Sequence, residues 1–171
     1  MNKKEIISLI MRYGTLVLLG IWIDIIYIIF TPLTVFPVYW ILDWIYGAGL
    51  IGKDLIVSKG IFIQLAGVCI AGSAYYLLLL LNFTTSMDIR RRVKSLLFTI
   101  AGFLILNILR IFFMVVIFFN LPNYFDLTHK LFWYIGSTII VVAIWFSAVK
   151  IFKIKDIPFY SDIKNISRSI K

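Results

Sequence analysis

The sequence predicts an all-α membrane protein, a polytopic bundle of four transmembrane helices with one further interfacial or re-entrant helix. Two observations support this prediction. Apolar side chains make up 62% of the 171 residues and charged side chains only 15%, whereas soluble domains average about 45–50% and about 25%. The apolar residues also occur in long runs, and the mean hydropathy is +1.01. This composition excludes a water-soluble domain and a disordered chain, and the length fits a single integral-membrane domain over residues 1–171.

Four apolar segments are long enough to cross about 30 Å of hydrocarbon at a rise of about 1.5 Å per residue. Their approximate bounds are 13–30, 61–81, 95–120 and 131–149. A fifth segment, 36–51, is shorter and contains Asp43 together with the helix breakers Pro37, Gly47 and Gly49. We therefore expect an interfacial or re-entrant helix there rather than a fifth crossing.

The positions of the basic residues predict the orientation of the bundle. Most of the 17 Lys and Arg residues lie before the first span, between the second and third spans, and after the last span. Four crossings place all three groups on the cytoplasmic side, as the positive-inside rule requires, with both termini cytoplasmic. Five crossings would split the groups between the two faces. Because the basic residues flank membrane spans, the net charge of +9 indicates contact with membrane lipids and not nucleic acid. The polar, basic tail 163–171 is expected either to stay loose or to lie on anionic headgroups.

Arg110 is an ionisable residue in the middle of an apolar span, with Asn107 one helical turn before it. An Arg near the bilayer centre costs about 2.5–3.5 kcal/mol on insertion scales, so it is expected to face the bundle interior or a wet cavity. One interpretation is a structural ion pair with Asp24 of the first span. The other is a functional role for the guanidinium.

Cys69 is the single cysteine of the chain and shares a helical stripe of small residues with Ala66, Gly72 and Ser73. A lone Cys in an apolar helix is usually a small hydrophobe. However, it lies about 12 Å below the outer end of its span at 1.5 Å per residue, and Arg110 reaches a similar depth. A guanidinium beside the thiol favours the thiolate, which is the nucleophilic form.

His129 is the only histidine and opens the last span at its outer end. It is either a surface or capping residue or a proton-transfer group, since imidazole titrates near neutral pH. Together, Cys69, Arg110 and His129 comprise a nucleophile, a charge stabiliser and an acid/base for cysteine acyl transfer. One Cys and one His do not make a plausible zinc site, so no metal and no cofactor is expected. A serine triad is not expected either, because no second histidine could act as its base.

At these residues the chain resembles the exosortase/archaeosortase family of integral-membrane cysteine transpeptidases, over about half its length. The compact size is typical of an archaeal-type member. The matching elements are Cys69 followed by Gly72 and Ser73, Asn107-x-x-Arg110 in an apolar helix, and His129 opening the last helix with Gly136 after it.

The resemblance implies a thiol protease and transpeptidase of the cell membrane, with its active site toward the extracytoplasmic face. Its substrates would be surface proteins that end in a short motif, a transmembrane helix and a basic tail. Cys69 would attack the peptide bond near the motif and form a thioester, and Arg110 would stabilise the thiolate or the oxyanion. His129 would protonate the leaving amine and then activate the acceptor, a lipid or other amine.

Two further hypotheses come from the residues themselves. Asp24 is expected to pair with Arg110 and orient it. Trp40 and Trp44 are expected to cover the cleft and bind the substrate motif, with an ordinary interfacial aromatic belt as the alternative. The competing functions are a non-enzymatic transporter subunit or scaffold, in which Arg110 and Asp24 are a structural pair, and a hydrolase that releases its product to water.

Overall fold

The computed structural model describes residues 3–52, 54–57, 61–65, 67–160, 162–164 and 167. It is 80% helical, which is consistent with a helical bundle. Four helical segments of this described part are long and apolar enough to cross a membrane, as expected for a multi-pass membrane protein. They are Asp24–Tyr46, Gly67–Thr84, Ile89–Asn120 and Pro122–Ile151.

The predicted first span, 13–30, is wrong in its bounds. Helix α1 covers Lys3–Ile21, and helix α2 covers Asp24–Tyr46 after a two-residue break. The membrane-length helix is therefore α2, and the apolar part of α1 is shorter. Hydropathy alone predicted one span here because apolar residues continue through the break and hide it.

The predicted interfacial or re-entrant helix over 36–51 is also wrong. Most of this segment is the second half of α2, which continues through Pro37 and ends where Gly47 adopts a left-handed conformation with φ 63°. The Gly47 N–H caps the helix by donating to the Asp43 carbonyl at 2.9 Å. Helices inside a membrane protein tolerate proline because neighbouring groups satisfy the freed backbone, so only the glycine acts as a helix terminator.

A three-stranded antiparallel sheet follows α2, so the all-α prediction is wrong for this segment. The strands are β1 (Ala48–Ile51), β2 (Asp54–Val57) and β3 (Ile61–Ile63), in the order β1-β2-β3. Leu55 pairs with Leu50 on one side and with Ile63 on the other. Gly52, at φ 65°, begins the connection between β1 and β2. Short runs of branched apolar residues separated by glycine are typical of strands, and this signal was available in the sequence.

The predicted second span, 61–81, begins too early because β3 occupies its first residues. The crossing consists of a short helix α3 (Gly67–Ile70) and a longer helix α4 (Gly72–Thr84). Ala71 separates them with a left-handed φ of 59°. Ala66, which the sequence placed on the small-residue stripe, lies outside the described residues. A broken helix at membrane depth is tolerated only where other groups satisfy its backbone.

The third and fourth predicted spans are confirmed as helices and are longer than expected. Helix α5 covers Ile89–Asn120. The final crossing is continuous over Pro122–Ile151. It comprises α6 (Pro122–Leu131), a π-helical turn (Phe132–Gly136) and α7 (Ser137–Ile151).

The N-terminal helix and the C-terminal segment meet at one end of the bundle. Arg12 forms an ion pair with Asp162 at 2.6 Å, and both side chains are nearly buried. Arg12 also donates to the Thr85 carbonyl at the end of α4, and Phe159 N–H donates to the Thr84 carbonyl. The cytoplasmic location of this end remains a prediction from the basic residues. Within the predicted tail, Arg168 and Lys171 lie outside the described residues.

A buried aromatic group joins three of the crossings. Tyr75 of α4 is fully buried, stacks on Phe30 of α2 at 3.7 Å between ring centroids, and meets the edge of Phe103 of α5 at 4.8 Å. Aromatic pairs contribute about 0.5–1.5 kcal/mol beyond their buried area. These rings hold α2, α4 and α5 together just below the helix break.

Gly72→Ala is expected to destabilise the protein, because a Cβ at this position would lie 2.6–2.9 Å from the Tyr27 ring. Overpacking of this kind costs about 1–3 kcal/mol. Gly102→Ala is the matched control, since its Cβ would meet nothing within 4 Å and alanine has the higher helix propensity. Thermal unfolding in detergent should show a lower midpoint for Gly72→Ala than for both wild type and Gly102→Ala. Equal midpoints would contradict the close approach of Tyr27.

Candidate active site

One cavity brings together Cys69, Arg110 and His129. Its volume is about 340 Å³, and these three side chains lie among an otherwise mostly apolar lining. They come from α3, α5 and α6 respectively, and all three are half-buried. The convergence that the sequence predicted from membrane depth is therefore present as a shared cavity.

The helix break at Ala71 determines the surroundings of Cys69. An uninterrupted helix would pair each carbonyl with the N–H four residues later, and the break disturbs this pattern for the carbonyls of α3. Two side chains of α5 bind them instead. Asn107 Nδ2 donates to the Cys69 carbonyl at 2.9 Å, and Arg110 Nη2 lies 3.4 Å from the carbonyls of Val68 and Cys69.

Asn107-x-x-Arg110 thus acts as a cap for a broken helix inside the bundle. One helical turn separates the two residues, so both side chains reach the same stretch of α3. Asn107 is almost fully buried, and an unsatisfied backbone carbonyl would cost several kcal/mol at membrane depth. The two α5 residues therefore stabilise the backbone that carries the thiol.

Ser137 is the third partner of Arg110, and sequence reasoning missed it. Arg110 Nη1 donates to Ser137 Oγ at 2.5 Å, and the Ser137 hydroxyl lies 3.3 Å from the Phe132 carbonyl. Ser137 is the first residue after the π-helical turn. The π-helical turn changes which residues of the last helical segment face Arg110. No pattern in the sequence predicts such a turn.

The guanidinium of Arg110 is fixed between three elements of the bundle. It binds backbone carbonyls of α3 and the hydroxyl of α7 while it projects from α5. Arg110 Nη2 lies 3.4 Å from the Cys69 carbonyl, so the positive charge is beside the residue that carries the thiol and can interact with it electrostatically. In a mostly apolar cavity such an interaction is stronger than in water.

His129 lines the same cavity from the last turn of α6. Its imidazole stacks on Phe125, one turn earlier, with ring centroids 5.6 Å apart and an angle of 6° between the planes. Both rings line the cavity. The stacking covers one face of the imidazole. It leaves the two nitrogens at the edge of the ring, which are the atoms that exchange protons.

Asp24 is not the partner of Arg110, and the predicted pair is wrong. Its side chain is exposed at the start of α2, and it forms no ion pair within the described part of the chain. The reason is the break before α2, which makes Asp24 the first residue of a helix rather than a residue inside a span. A carboxylate there interacts favourably with the positive end of the helix dipole.

Ser73 faces a different cavity from Cys69. This second cavity, also about 340 Å³, lies between α4 and α7 and includes Ser137 and Thr138 in its lining. Ser73 and Cys69 share a face on a regular helix, but the left-handed Ala71 between them separates their directions. Ser73, expected from the sequence to support the site beside Cys69, therefore does not line the thiol cavity.

Trp40 and Trp44 do not reach the thiol cavity. They are 67% and 88% exposed on the outer face of α2, and the cavity lining includes neither. Residues of strand β3, which was not predicted from the sequence, line the cavity instead of the two tryptophans. Exposed tryptophans on a membrane-length helix are typical of an interfacial aromatic belt.

If the protein processes a substrate, as expected from the sequence, the double variant Trp40→Ala, Trp44→Ala should leave that processing within about twofold of wild type, because neither ring lines the cavity. Processing of a co-expressed substrate and the amount of membrane-inserted protein, both measured by immunoblot, check this expectation. A loss of processing at normal insertion would instead support the hypothesis that these rings bind the substrate motif.

No group of three His, Cys, Asp or Glu side chains suited to a metal ion occurs among the residues that the structure describes. No protein-family model, curated protein or solved structure matches this chain. The chemistry of the site is therefore inferred from its own residues: a thiol, a fixed guanidinium and an imidazole around one mostly apolar cavity.

Proposed function

We propose that the protein is an integral-membrane cysteine peptidase and transpeptidase. It cleaves the C-terminal sorting signal of surface proteins and transfers the shortened protein to the amine of a lipid or another acceptor. The observation that carries the proposal is the shared cavity of Cys69, Arg110 and His129. A nucleophile, a positive charge and an acid/base around one cavity match the requirements of acyl transfer.

The first half-reaction forms a thioester. The thiolate of Cys69 attacks the carbonyl carbon of the scissile peptide bond and gives a tetrahedral oxyanion. The C–N bond then breaks, and the leaving amine takes a proton from the His129 imidazolium. In the second half-reaction neutral His129 removes a proton from the acceptor amine as it attacks the thioester. The C–S bond then breaks and releases the Cys69 thiolate, which restores the thiolate and the His129 imidazolium.

Arg110 provides the charge stabilisation in both halves. Its contacts with Ser137 and with the carbonyls of α3 hold the guanidinium before substrate arrives. A donor that is already in place costs no reorganisation when the oxyanion forms, and one such donor is worth about 10²–10³-fold in rate. Arg is suited to this position because its planar group can serve several acceptors at once.

The proposal places the reaction at the extracytoplasmic face. Helix α5 begins beside the end of the bundle that holds Arg12 and Asp162, and the cavity residues Arg110 to Phe118 belong to its second half. If the basic residues face the cytoplasm, as the positive-inside rule predicts, the cavity opens toward the exterior. A substrate whose own basic tail stays inside would present its motif at that level.

A non-enzymatic scaffold or transporter subunit is the second candidate. The contacts of Arg110 favour it, because every hydrogen bond that the guanidinium makes in the described structure serves the helix break or Ser137. An arginine that only binds the free carbonyls at a helix break has no need of a thiol beside it, so the presence of Cys69 favours the enzyme instead. The variants of Cys69 and Arg110 described in the Discussion separate the two functions.

Co-expression with a surface protein that ends in a motif, a transmembrane helix and a basic tail tests the proposal. The expected product lacks the C-terminal helix and carries the added mass of an amine acceptor. A product that gains only water would indicate the hydrolase. Hydroxylamine, which attacks thioesters, should divert the product to a hydroxamate. An uncut substrate in the presence of well-inserted protein would contradict the proposed function.

A further inference from the structure

The third strand of the sheet is an edge strand. Strand β3 (Ile61–Ile63) pairs with β2 on one side, through Ile63 with Leu55 and Ile61 with Val57. On its other side no backbone hydrogen bond to β3 exists among the described residues. An edge strand presents unpaired N–H and C=O groups that can pair with another extended chain.

This edge belongs to the thiol cavity. All three residues of β3 line it, as does Gln64, which follows the strand directly. The chain then reaches Cys69 through α3, so the strand and the thiol are neighbours both in sequence and around the same cavity. A peptide backbone that paired with β3 would therefore lie along the cavity that Cys69 also lines.

The strand lacks the features by which proteins usually protect an edge. Edges are commonly covered by other elements or carry lysine, proline or a bulge. Strand β3 is entirely apolar, and Phe62 is 56% exposed. Strand β3 therefore has an unprotected edge and lines the thiol cavity.

We propose that β3 binds the substrate main chain by strand addition. The recognised ligand is an extended peptide that lies beside β3 as a fourth strand and brings one carbonyl carbon to the Cys69 thiol. This inference rests on the proposed cysteine peptidase function and adds how the substrate is held. Strand addition supplies affinity through main-chain hydrogen bonds, while alternate side chains of the peptide enter the apolar cavity and provide selectivity.

Peptide vinyl sulfones test this binding mode in the full-length protein in detergent or nanodiscs. The probe is a capped tetrapeptide of apolar residues whose vinyl sulfone replaces the scissile carbonyl and alkylates Cys69 by thiol addition. Each backbone nitrogen is N-methylated in turn, which removes one hydrogen-bond donor at a time. Methyl vinyl sulfone, which has no peptide, measures the intrinsic reactivity of the thiol, and Cys69→Ser is the blank.

The expected result is a pattern with a period of two. N-methylation at alternate positions should slow alkylation about tenfold or more, because those N–H groups point at β3, and the positions between them should have little effect. A uniform effect at every position, no effect at any position, or no rate advantage of the peptide over methyl vinyl sulfone would overturn strand addition. Failure of both reagents to alkylate Cys69 would instead contradict the nucleophile itself, and with it the proposed function.

Discussion

On the proposed function, Cys69→Ser is expected to abolish processing of a co-expressed substrate while membrane insertion and thermal stability remain close to wild type. We expect this result because serine has almost the same volume as cysteine but is a far weaker nucleophile at neutral pH. Loss of a catalytic nucleophile lowers the rate by about 10⁴-fold or more. Cys69 is half-buried at the cavity surface, so the exchange of sulfur for oxygen leaves its packing nearly intact.

The measurement is processing of the co-expressed substrate beside the unfolding midpoint of the purified variant. Cys69→Ala is the second variant and should behave identically in processing. If both variants still process the substrate at normal levels, Cys69 is a packing residue and the non-enzymatic function is favoured.

Arg110→Met is expected to lower processing by about 10²–10³-fold, since on the proposed function it removes the charge that stabilises the oxyanion. It also removes the side-chain donor to the carbonyls of Val68 and Cys69. An unsatisfied buried acceptor costs about 1–3 kcal/mol, so a moderate loss of stability accompanies the loss of activity. The two effects must therefore be separated by a control.

Asn107→Leu is the matched control. Asn107 caps the same helix break, through the carbonyls of Cys69 and Ile70, but carries no charge. If Arg110 acts chemically, Arg110→Met loses far more processing than Asn107→Leu at a similar unfolding midpoint. If the two variants lose processing in proportion to their stability, Arg110 has a structural role only.

The position of the three candidate residues around one cavity could be predicted from the sequence more closely than the surrounding architecture. Two spans could be predicted from the sequence, and so could the convergence of Cys69, Arg110 and His129 at a similar level. Both follow from the order of the spans and from the rise per residue, which is nearly constant in α-helices. An isolated charge in an apolar helix has few acceptable positions. For these reasons Arg110 was placed correctly in the interior although its partners were not known.

The architecture around the cavity could not be read from hydropathy. The helix break at Ala71 depends on a left-handed residue that is not glycine, and alanine is a strong helix former. The break persists because Asn107 and Arg110, far along the chain, bind the exposed carbonyls. Tertiary contacts of this kind override local preference, and no local pattern reveals them.

Asp24 and the two tryptophans lie away from the cavity for one shared physical reason. Asp24 and Trp44 were placed on the assumption that the first crossing ends near Phe30, whereas α2 begins at Asp24 and continues to Tyr46. This moves Asp24 to a helix start and turns the tryptophans outward. Strand β3 of the sheet that follows α2 lines the cavity, where the sequence had led us to expect Trp40 and Trp44.

Alkylation of Cys69 in intact membranes tests most directly whether thiol, guanidinium and cavity form one reactive site. A neutral, water-soluble maleimide is added from the extracytoplasmic side at pH 7, and labelling is followed by mass spectrometry in wild type and in Arg110→Met. The account predicts rapid labelling of the wild type and labelling slower by at least about tenfold in the variant, because the nearby charge stabilises the thiolate. A thiol that stays unlabelled, or that reacts equally fast without Arg110, would contradict it.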